Sequence, residues 1–411
     1  MRILLVNNFH YLRGGAERSY FDTAEILKDK GHKVAFFSTK HKDNFPGKWD
    51  DYFVSYFDLE AKHGFGDKLR IIGRILYNKE AKRKIRKLIK DFRPDVAHLH
   101  NVYHHLSPSV ISELKRQGVP MVMTLHDYKP VCPNYNLFVR GEVWEKSKKN
   151  KYYRCFWDKC IKDSYAKSAV CTLEAYVHKI MGVYRRVDIF ISPSRFLINK
   201  FREFGFKEDI RHLPNPLPDT AEKEAEKPSK KGRYALYFGR LSQEKGVDDL
   251  IKAFKDLDDK SIELKIVGKG PQQQELKELI DGYGLNDKIE LPGPKYGQEL
   301  KETIAGAEFI VFPFKWYENY PYVVLEAQKA GKLVICSDIG GTREMIKDGY
   351  NGFLYEAGNI KQLTQAMKLV TEGHESFKHM GERARYGVEK NNGREKFYKD
   401  LFAIYSNIIK K

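Results

Sequence analysis

The sequence predicts an α/β protein of two doubly wound domains, each a mostly parallel sheet with helices on both faces. Three observations carry this reading. Short apolar runs alternate with helical patterns from the first residues onward. A proline-rich and then charged stretch, Leu213 to Lys231, interrupts the alternation. A second alternation of the same kind starts at Tyr234. Such alternation is what a parallel sheet with crossover helices requires. The 411 residues suit two domains of roughly 100–200 residues each.

In the first series Ile3–Val6 reads as a buried strand, too short in its apolar run for a signal peptide. Glu17–Lys30 has helical spacing (Tyr20, Ala24, Leu27) and stops at Gly31. Lys33–Ser38, Asp95–Leu99, Met121–Leu125 and Val187–Ile191 are further strands, with a helix over Val110–Gln117. Lys68–Arg93 holds eleven Lys or Arg against two acids, with apolar residues at near-helical spacing. It predicts a basic amphipathic helix broken near Asn78, either a solvated surface helix or one lying on an anionic membrane. Residues from about 131 to 168 are irregular, aromatic and basic, an insertion into the first domain.

Leu213–Pro218 brings three prolines in five residues and opens the linker. The second series runs as strands at Tyr234–Phe238, Glu263–Val267, Lys288–Leu291, Phe309–Phe312 and Leu333–Ser337. Helices fall at Asp248–Lys255, Gln272–Gly282 and Tyr322–Ala330. The expected organisation is a first domain over 1–215, a linker over 216–231, a second domain over 232–393, and a C-terminal helix over 394–411 that crosses back to the first domain.

Composition excludes several classes. Apolar residues at 42% and aromatics at 13% argue for a packed core and against disorder. No stretch approaches the length of a membrane span. The five cysteines, odd in number and sparse, argue against a disulfide framework and for a reducing compartment. The net charge of +18 favours phosphorylated substrates or anionic surfaces. Nucleic acid would also fit that charge, but no RRM, KH or zinc-finger signature accompanies it.

Several segments carry chemistry. Gly14-Gly15 lies between the first strand and helix, where a backbone can approach a phosphate at a helix N-terminus. Gly239-Arg240 to Lys245-Gly246 follows the first strand of the second series, where doubly wound folds bind ligands. Its two cations suit a diphosphate leaving group. Gly268-Lys269-Gly270 makes a second glycine turn after the next strand. Trp316 to Ala327 places Glu318 and Glu326 with seven residues between them, one in a loop and one inside a helix that begins near Tyr322. The first carboxylate can accept hydrogen bonds from sugar hydroxyls, the second can hold a ribose diol, and backbone N–H groups at the helix start can face a diphosphate.

This combination resembles the retaining GT-B glycosyltransferases of the large family 4, whose E-x7-E motif the Glu318–Glu326 spacing matches. Asn215-Pro216 and the glycine segments stand in that family's order, and the likeness covers nearly the whole chain. The resemblance implies two Rossmann-like domains facing across a cleft and a nucleotide-sugar donor held by the second domain. Arg240 and Lys245 are then similar to the pair that binds the donor diphosphate, Glu318 to the carboxylate on the transferred sugar, and Glu326 to the one on the ribose. Gly15 is similar to the loop glycine near the phosphates, with Gly14 beside it. Gly268, Asn319, Tyr320 and Tyr322 fall in the donor site as well. His126, in Thr124-Leu125-His126-Asp127, resembles the family's active-site histidine.

The resemblance further implies retention of anomeric configuration, independence of metal and cofactor, and front-side attack in which the departing phosphate takes the acceptor proton. The sequence departs from the family in one place: the usual glycine-rich loop between the glutamates is here Asn319-Tyr320-Pro321, and Pro321 has no N–H to offer. Cys132, Cys155 and Cys160 resemble part of a cysteine-rich insertion of some relatives, but Trp144 and Ser147 stand where those relatives carry further cysteines, and what remains spaces poorly for zinc.

His98 and His100 share a strand face. As metal ligands they would want a carboxylate. The reading preferred here is that His100, Asn101, His104 and Asp127 bind an acceptor, a saccharide or a lipid-linked one. The alternative function is a sugar-nucleotide epimerase of the same GT-B fold, against which the His100–His105 cluster counts. A basic nucleic-acid-binding protein is a weaker alternative, and no nucleic-acid partner is expected. The expected location is the cytoplasm, peripheral on the inner face of the membrane, with an anionic membrane surface as a further partner and cell-surface polysaccharide synthesis as the setting.

Overall fold

The computed structural model describes residues 1–59, 61, 64–217, 233–257, 259 and 261–410. The chain divides into two compact units. The first comprises Met1–Leu137, Trp144–Pro216 and the C-terminal segment from Arg394; the second comprises Phe138–Val143 and the chain from Leu217 to Gly393. The linker expected over 216–231 lies, beyond Leu217, outside the described residues.

The first unit is a six-stranded parallel sheet of β1 (Arg2–Val6), β2 (Lys33–Phe37), β3 (Val96–Leu99), β4 (Met121–Thr124), β7 (Ile189–Ser192) and β8 (Ile210–His212). Their spatial order is β2-β1-β3-β4-β7-β8. Its helices are α1 (Gly15–Asp29), α2 (Phe65–Leu76), α3 (Lys79–Phe92), α4 (Ser109–Arg116), α5 (Tyr153–Trp157), α6 (Tyr165–Ile180) and α7 (Arg195–Glu203). The central strands β1, β3, β4 and β7 are buried almost throughout, as a parallel sheet covered by helices on both faces demands.

The basic stretch at Lys68–Arg93 forms two helices, and Asn78 is the break. Its side chain caps α3 by accepting from the Ala81 N–H at 3.1 Å, and its amide donates to the His105 carbonyl at 2.7 Å. The apolar side of α3 (Ala81, Ile85, Leu88, Ile89, Phe92) is buried.

The expected insertion is divided. Its hairpin, β5 (Phe138–Val139) paired with β6 (Glu142–Val143), belongs to the second unit, and the remainder to the first. That remainder is also more regular than expected, since it holds α5 and the start of α6. The cysteine reading needs a further correction: Cys155 and Cys160 form a disulfide, with Cα atoms 4.9 Å apart. Cys155 sits on the single turn of α5, and the Cys160 N–H donates back to the Cys155 carbonyl at 2.9 Å, so a local turn brings the sulfurs together. Cys132, Cys171 and Cys336 are free.

The last helix, α14 (Arg394–Ile409), completes the first unit's core. Phe397, Leu401, Tyr405 and Ile408 bury against Ile3, Leu5, Tyr20 and Leu27. Arg394 pairs with Asp29 at 2.9 Å, and Lys30 with Glu395 at 2.5 Å.

The second unit is another six-stranded parallel sheet: β9 (Arg233–Phe238), β10 (Ile262–Val267), β11 (Ile289–Gly293), β12 (Phe309–Phe312), β13 (Leu333–Ser337) and β14 (Phe353–Tyr355), ordered β11-β10-β9-β12-β13-β14. It carries α8 (Val247–Leu257), α9 (Gln273–Gly282), α10 (Gly297–Gly306), α11 (Tyr322–Lys329), α12 (Ile360–Glu372) and α13 (His374–Asn392). Each sheet has a topological switch point, where successive strands leave in opposite directions. It falls between β1 and β3 in the first unit and between β9 and β12 in the second. Ligands of open α/β sheets bind at the carboxyl ends of strands at such points. No helix among the described residues is long and apolar enough to cross a membrane.

Candidate active site

At the second unit's switch point, β9 ends in Gly239-Arg240 and β12 ends in the loop that carries Glu318. Glycine is required here by close backbone packing. A Cβ on Gly268 would lie 1.8 Å from the Gly239 carbonyl oxygen, and one on Gly270 would lie 2.1 Å from that of Leu241. The two strand-end turns are thus pressed together, with the Leu241 N–H donating to the Lys269 carbonyl at 3.0 Å. After a turn of 3₁₀ helix, Gly246 adopts φ 68°, and a Cβ there would sit 1.9 Å from the Pro313 carbonyl oxygen. This contact locks the β9 loop onto the segment that follows β12.

That lock sets Lys245 directly against Glu318, and the two form an ion pair. The Lys245 ammonium also lies 5.0 Å from the ring centres of both Phe314 and Trp316, an aromatic setting that holds a cation. Both side chains are largely removed from water. Arg240 is exposed and has no ion-pair partner among the described residues. Lys315, by contrast, is tied to Asp248 and Asp249, each at 2.9 Å.

Glu318 is held from behind by a loop that the sequence reading passed over. The Gly341 N–H donates to the Glu318 carbonyl at 2.7 Å, and a Cβ on Gly340 would lie 2.3 Å from that same oxygen. A glycine pair two residues beyond a buried strand was the signal available for it, where a single glycine, Gly239, follows β9 directly.

Helix α11 starts at Tyr322, capped by Pro321, so Glu318 precedes it and Glu326 lies one turn inside, half-buried. The Pro321 carbonyl accepts from the Val324 N–H at 3.1 Å. Asn319 is half-buried. The side chains of Tyr320 and Tyr322 turn into the core. Tyr320 bonds Asn392 through its hydroxyl, and burial pushes that hydroxyl up to about 12. Both tyrosines therefore offer backbone rather than ring to a ligand.

The first unit's switch point is built of different groups. Asn7 and Asn8 end β1 and tie the loop after β3. Asn7 accepts from the Asn101 N–H at 3.0 Å, and Asn8 donates to the Tyr103 carbonyl at 2.7 Å. Neither asparagine was singled out from the sequence, although two adjacent amides closing a buried strand are a visible signal. Gly14 caps α1 in extended conformation (φ −171°) with room for a side chain, and Gly15 is its first helical residue. Glycine at position 14 is thus not imposed by the local backbone. Nearby, the buried Glu17 carboxyl accepts from Asn7 at 3.3 Å, and burial raises its pKa.

Three imidazoles stack in series. His98 and His100 have ring centres 4.6 Å apart, and His100 and His126 5.1 Å apart, with Nδ1 of His100 2.8 Å from Nε2 of His126. His98 is fully committed to Tyr405 at 2.6 Å and Thr124 at 2.7 Å. Burial drives His98 and His126 down to about 3 and His100 well down, so the stack is neutral. Burial also pushes the adjacent Asp127 carboxyl up to about 6, against an opposing hydrogen bond from Tyr103. Asn101 accepts from the Tyr103 hydroxyl at 2.7 Å.

His104 adopts φ 62°, an uncommon conformation for a side-chain-bearing residue, and its Nδ1 lies 3.3 Å from Glu174. Burial alone would raise the Glu174 carboxyl, but His104 and Lys129 outweigh it and hold it well below the carboxylate range. With Cys171, His104 and Glu174 form a group of metal-ligand type among the described residues. The Lys129 ammonium, however, lies 2.6 Å from Glu174 and already supplies the positive charge there. Of the remaining insertion residues, Ser147 donates to the Cys132 sulfur at 3.0 Å, and the Trp144 indole to Asp158 at 2.8 Å.

The structure thus brings Arg240, Lys245, Glu318 and the start of α11 to one switch point, and His100, Asn101, His126 and Asp127 to the other. The family described as Glycosyltransferase Family 4 matches residues 13–220, half of the chain, and that described as Glycosyl transferases group 1 matches residues 219–386. The chain belongs to glycosyltransferase family 4. Its fold is that of the GT-B glycosyltransferases, two Rossmann-like units.

It is 25% identical to an uncharacterised 42.6 kDa protein of the cps region of Klebsiella pneumoniae, over 84% of this chain and 87% of that one. The next seven curated relatives are matched over 18% to 63% of their own length. Among solved structures it resembles the sucrose-phosphate synthase of Thermosynechococcus elongatus (TM-score 0.71, 19% identity, 99% of this chain and 98% of that one). It also resembles HepE of Anabaena in complex with UDP-glucose (TM-score 0.68, 15% identity, 99% and 100%).

Proposed function

We propose that this enzyme transfers a sugar from a nucleoside-diphosphate sugar to a hydroxyl of a saccharide or lipid-linked acceptor, with retention of anomeric configuration and without a metal. The setting proposed is cell-surface polysaccharide synthesis at the inner face of the membrane, with an anionic membrane surface as a partner. The observation that carries the reading is the Lys245–Glu318 pair beside an unpaired Arg240 at the β9–β12 switch point. A diphosphate arriving there meets two fixed cations. It competes for Lys245 and leaves the Glu318 carboxylate to accept from sugar hydroxyls. Cations then do what a metal does in other transferases, neutralising the phosphate as it leaves.

In the transfer, the bond from the anomeric carbon to the phosphate oxygen breaks. The bond to the acceptor oxygen forms on the same face, and the acceptor proton passes to the departing phosphate. Glu326 holds the ribose, and Gly268, Asn319 and the α11 backbone complete the donor contacts. On the acceptor side, His126 is neutral at physiological pH. It can accept or donate one hydrogen bond to a hydroxyl without adding charge, while its Nε2 is shared with Nδ1 of His100 at 2.8 Å. His100, Asn101, His104 and Asp127 complete the acceptor contacts.

The test is product analysis by NMR with a donor of known anomer in the presence of EDTA. Retained configuration at undiminished rate is expected. An inverted product, or activity abolished by EDTA and restored by a divalent ion, would overturn the reading. An epimerase would instead consume donor with no acceptor present.

A further inference from the structure

Helix α6 is built inside out. Ser168, Glu174 and His178 are its buried residues, while Ala166, Val170, Leu173, Val177 and Ile180 lie on one face that is exposed or half-exposed. Spacings of four and three residues place those five side chains in a single stripe. Leu173 is 47% exposed and Ile180 84%. The inward face is polar because it supplies Glu174 to the buried Lys129 and His104. The outward face is therefore apolar, and among the described residues Ala166, Leu173 and Ile180 on it stay exposed.

Helix α2 packs beside α6, with the His178 ring 3.1 Å from the Leu76 carbonyl. It repeats the pattern. Only Ile75 is buried, and Phe65, Leu69, Ile72 and Leu76 form a second stripe, with Phe65 79% and Leu69 56% exposed. Also packed against α6, α5 adds Trp157, 65% exposed, and Tyr153. A soluble surface scatters apolar side chains singly, whereas a contiguous field of them marks a docking site.

The charge around this field identifies the occupant. Over residues 148–180 eight Lys or Arg stand against three acids, and one of those acids, Glu174, is buried in its ion pair. Exposed Lys68 and Arg70 border the α2 stripe, and Lys179 and Lys162 the α6 stripe. Apolar side chains, interfacial Trp and Tyr, and a rim of long cations are what an anionic bilayer surface takes up.

We infer that α2, α5 and α6 form a membrane-docking face. It takes anionic phospholipid through the Phe65/Leu69 and Leu173/Ile180 stripes, with the flanking lysines on the headgroups. This deepens the membrane-partner part of the reading above and moves the contact away from α3, whose apolar side is consumed by the core. It does not depend on the donor assignment.

The test is flotation of the full chain with vesicles containing phosphatidylglycerol, against vesicles of phosphatidylcholine alone. Wild type is expected to float with the anionic vesicles. Leu173→Glu combined with Ile180→Glu should lower the bound fraction by about ten-fold or more, since it places two charges at an apolar interface. Arg83→Gln with Lys90→Gln on the exposed side of α3 should change it by less than about three-fold. The substituted positions are exposed, so the fold is retained, and an unchanged unfolding midpoint without ligand verifies this. Wild type that does not float would overturn the inference. So would Glu variants that float as wild type does, or a dimer in solution that the Glu variants dissolve. None of these outcomes bears on donor binding, which a thermal shift with nucleoside diphosphates reads separately.

Discussion

The switch point of the second unit gathers opposite charges, whereas that of the first gathers neutral imidazoles. Both stand on the same scaffold, a six-stranded parallel sheet whose strands leave in two directions. In the second unit glycines press loops together until Lys245 and Glu318 must meet. In the first, asparagines knit the loops and burial strips the proton from His98, His100 and His126. The scaffold thus supplies the place, and the local backbone supplies the chemistry: one switch point sets fixed charges against each other and the other stacks uncharged imidazoles.

The largest effect that separates the two ends is on turnover. Glu318→Gln and Lys245→Met are each expected to lower kcat by about 10²–10³-fold, as loss of a preorganised charge at a leaving group does. His126→Ala should cost about 10–100-fold, within the range of a positioned hydrogen-bonding group, and raise KM for acceptor rather than donor. Nucleotide release assayed with varied donor and acceptor measures all three. A His126 effect larger than the Glu318 effect would reverse the comparison.

The next contrast is in stability. Gly246→Ala meets both a left-handed φ and a carbonyl oxygen, and should cost about 2–4 kcal/mol in a urea titration. Gly340→Ala is expected to behave alike. Gly14→Ala, at an extended residue where a Cβ would meet only the Glu17 carboxylate at 3.8 Å, should stay within about 0.5 kcal/mol. If Gly14 proved as costly as Gly246, backbone packing would not distinguish the two ends.

Acid should act on the first unit. His10 is held at about 4, and His98, His105 and His126 at about 3, against 6.5 for a free imidazole. The unfolded chain therefore binds more protons from pH 6.5 downward, so their contribution is present above 6.5 and is lost as pH falls toward 3. Asp22 and Asp127, both raised to about 6, act the other way between 6 and 3.8 but are fewer. Urea midpoints at about pH 7 and about pH 4.5 should show a net loss at the lower pH. An unchanged midpoint would mean that the imidazoles are not buried neutral. The smallest effect expected is from reductant: opening the five-residue Cys155–Cys160 loop should cost at most about 2 kcal/mol.

Much of this was legible before the structure. Apolar runs bounded by glycine marked most strands, because a parallel strand covered on both faces has no polar side. The E-x7-E spacing put Glu318 before a helix and Glu326 inside it, and α11 begins where that spacing requires. Asn78 broke the basic segment, as an N-cap should. Helix α6 escaped, because its polar residues face inward and its apolar ones outward, the reverse of the rule by which helices are read. The Gly340–Gly341 support of Glu318 is a contact between loops far apart in sequence, and no local pattern announces its partner. The turn of Tyr320 into the core likewise depends on Asn392, seventy-two residues away.

The most direct test of the central claim is nucleoside-diphosphate binding, read as the rise in unfolding temperature with EDTA present. The account predicts a clear rise for one base in wild type, about 2.7 kcal/mol of added stability at a hundredfold excess over Kd, reduced in Arg240→Ala and in Lys245→Ala. It also predicts an unchanged rise in His126→Ala, since that residue serves the other end. A rise that survives both cation substitutions, or one that needs a divalent metal, would contradict it.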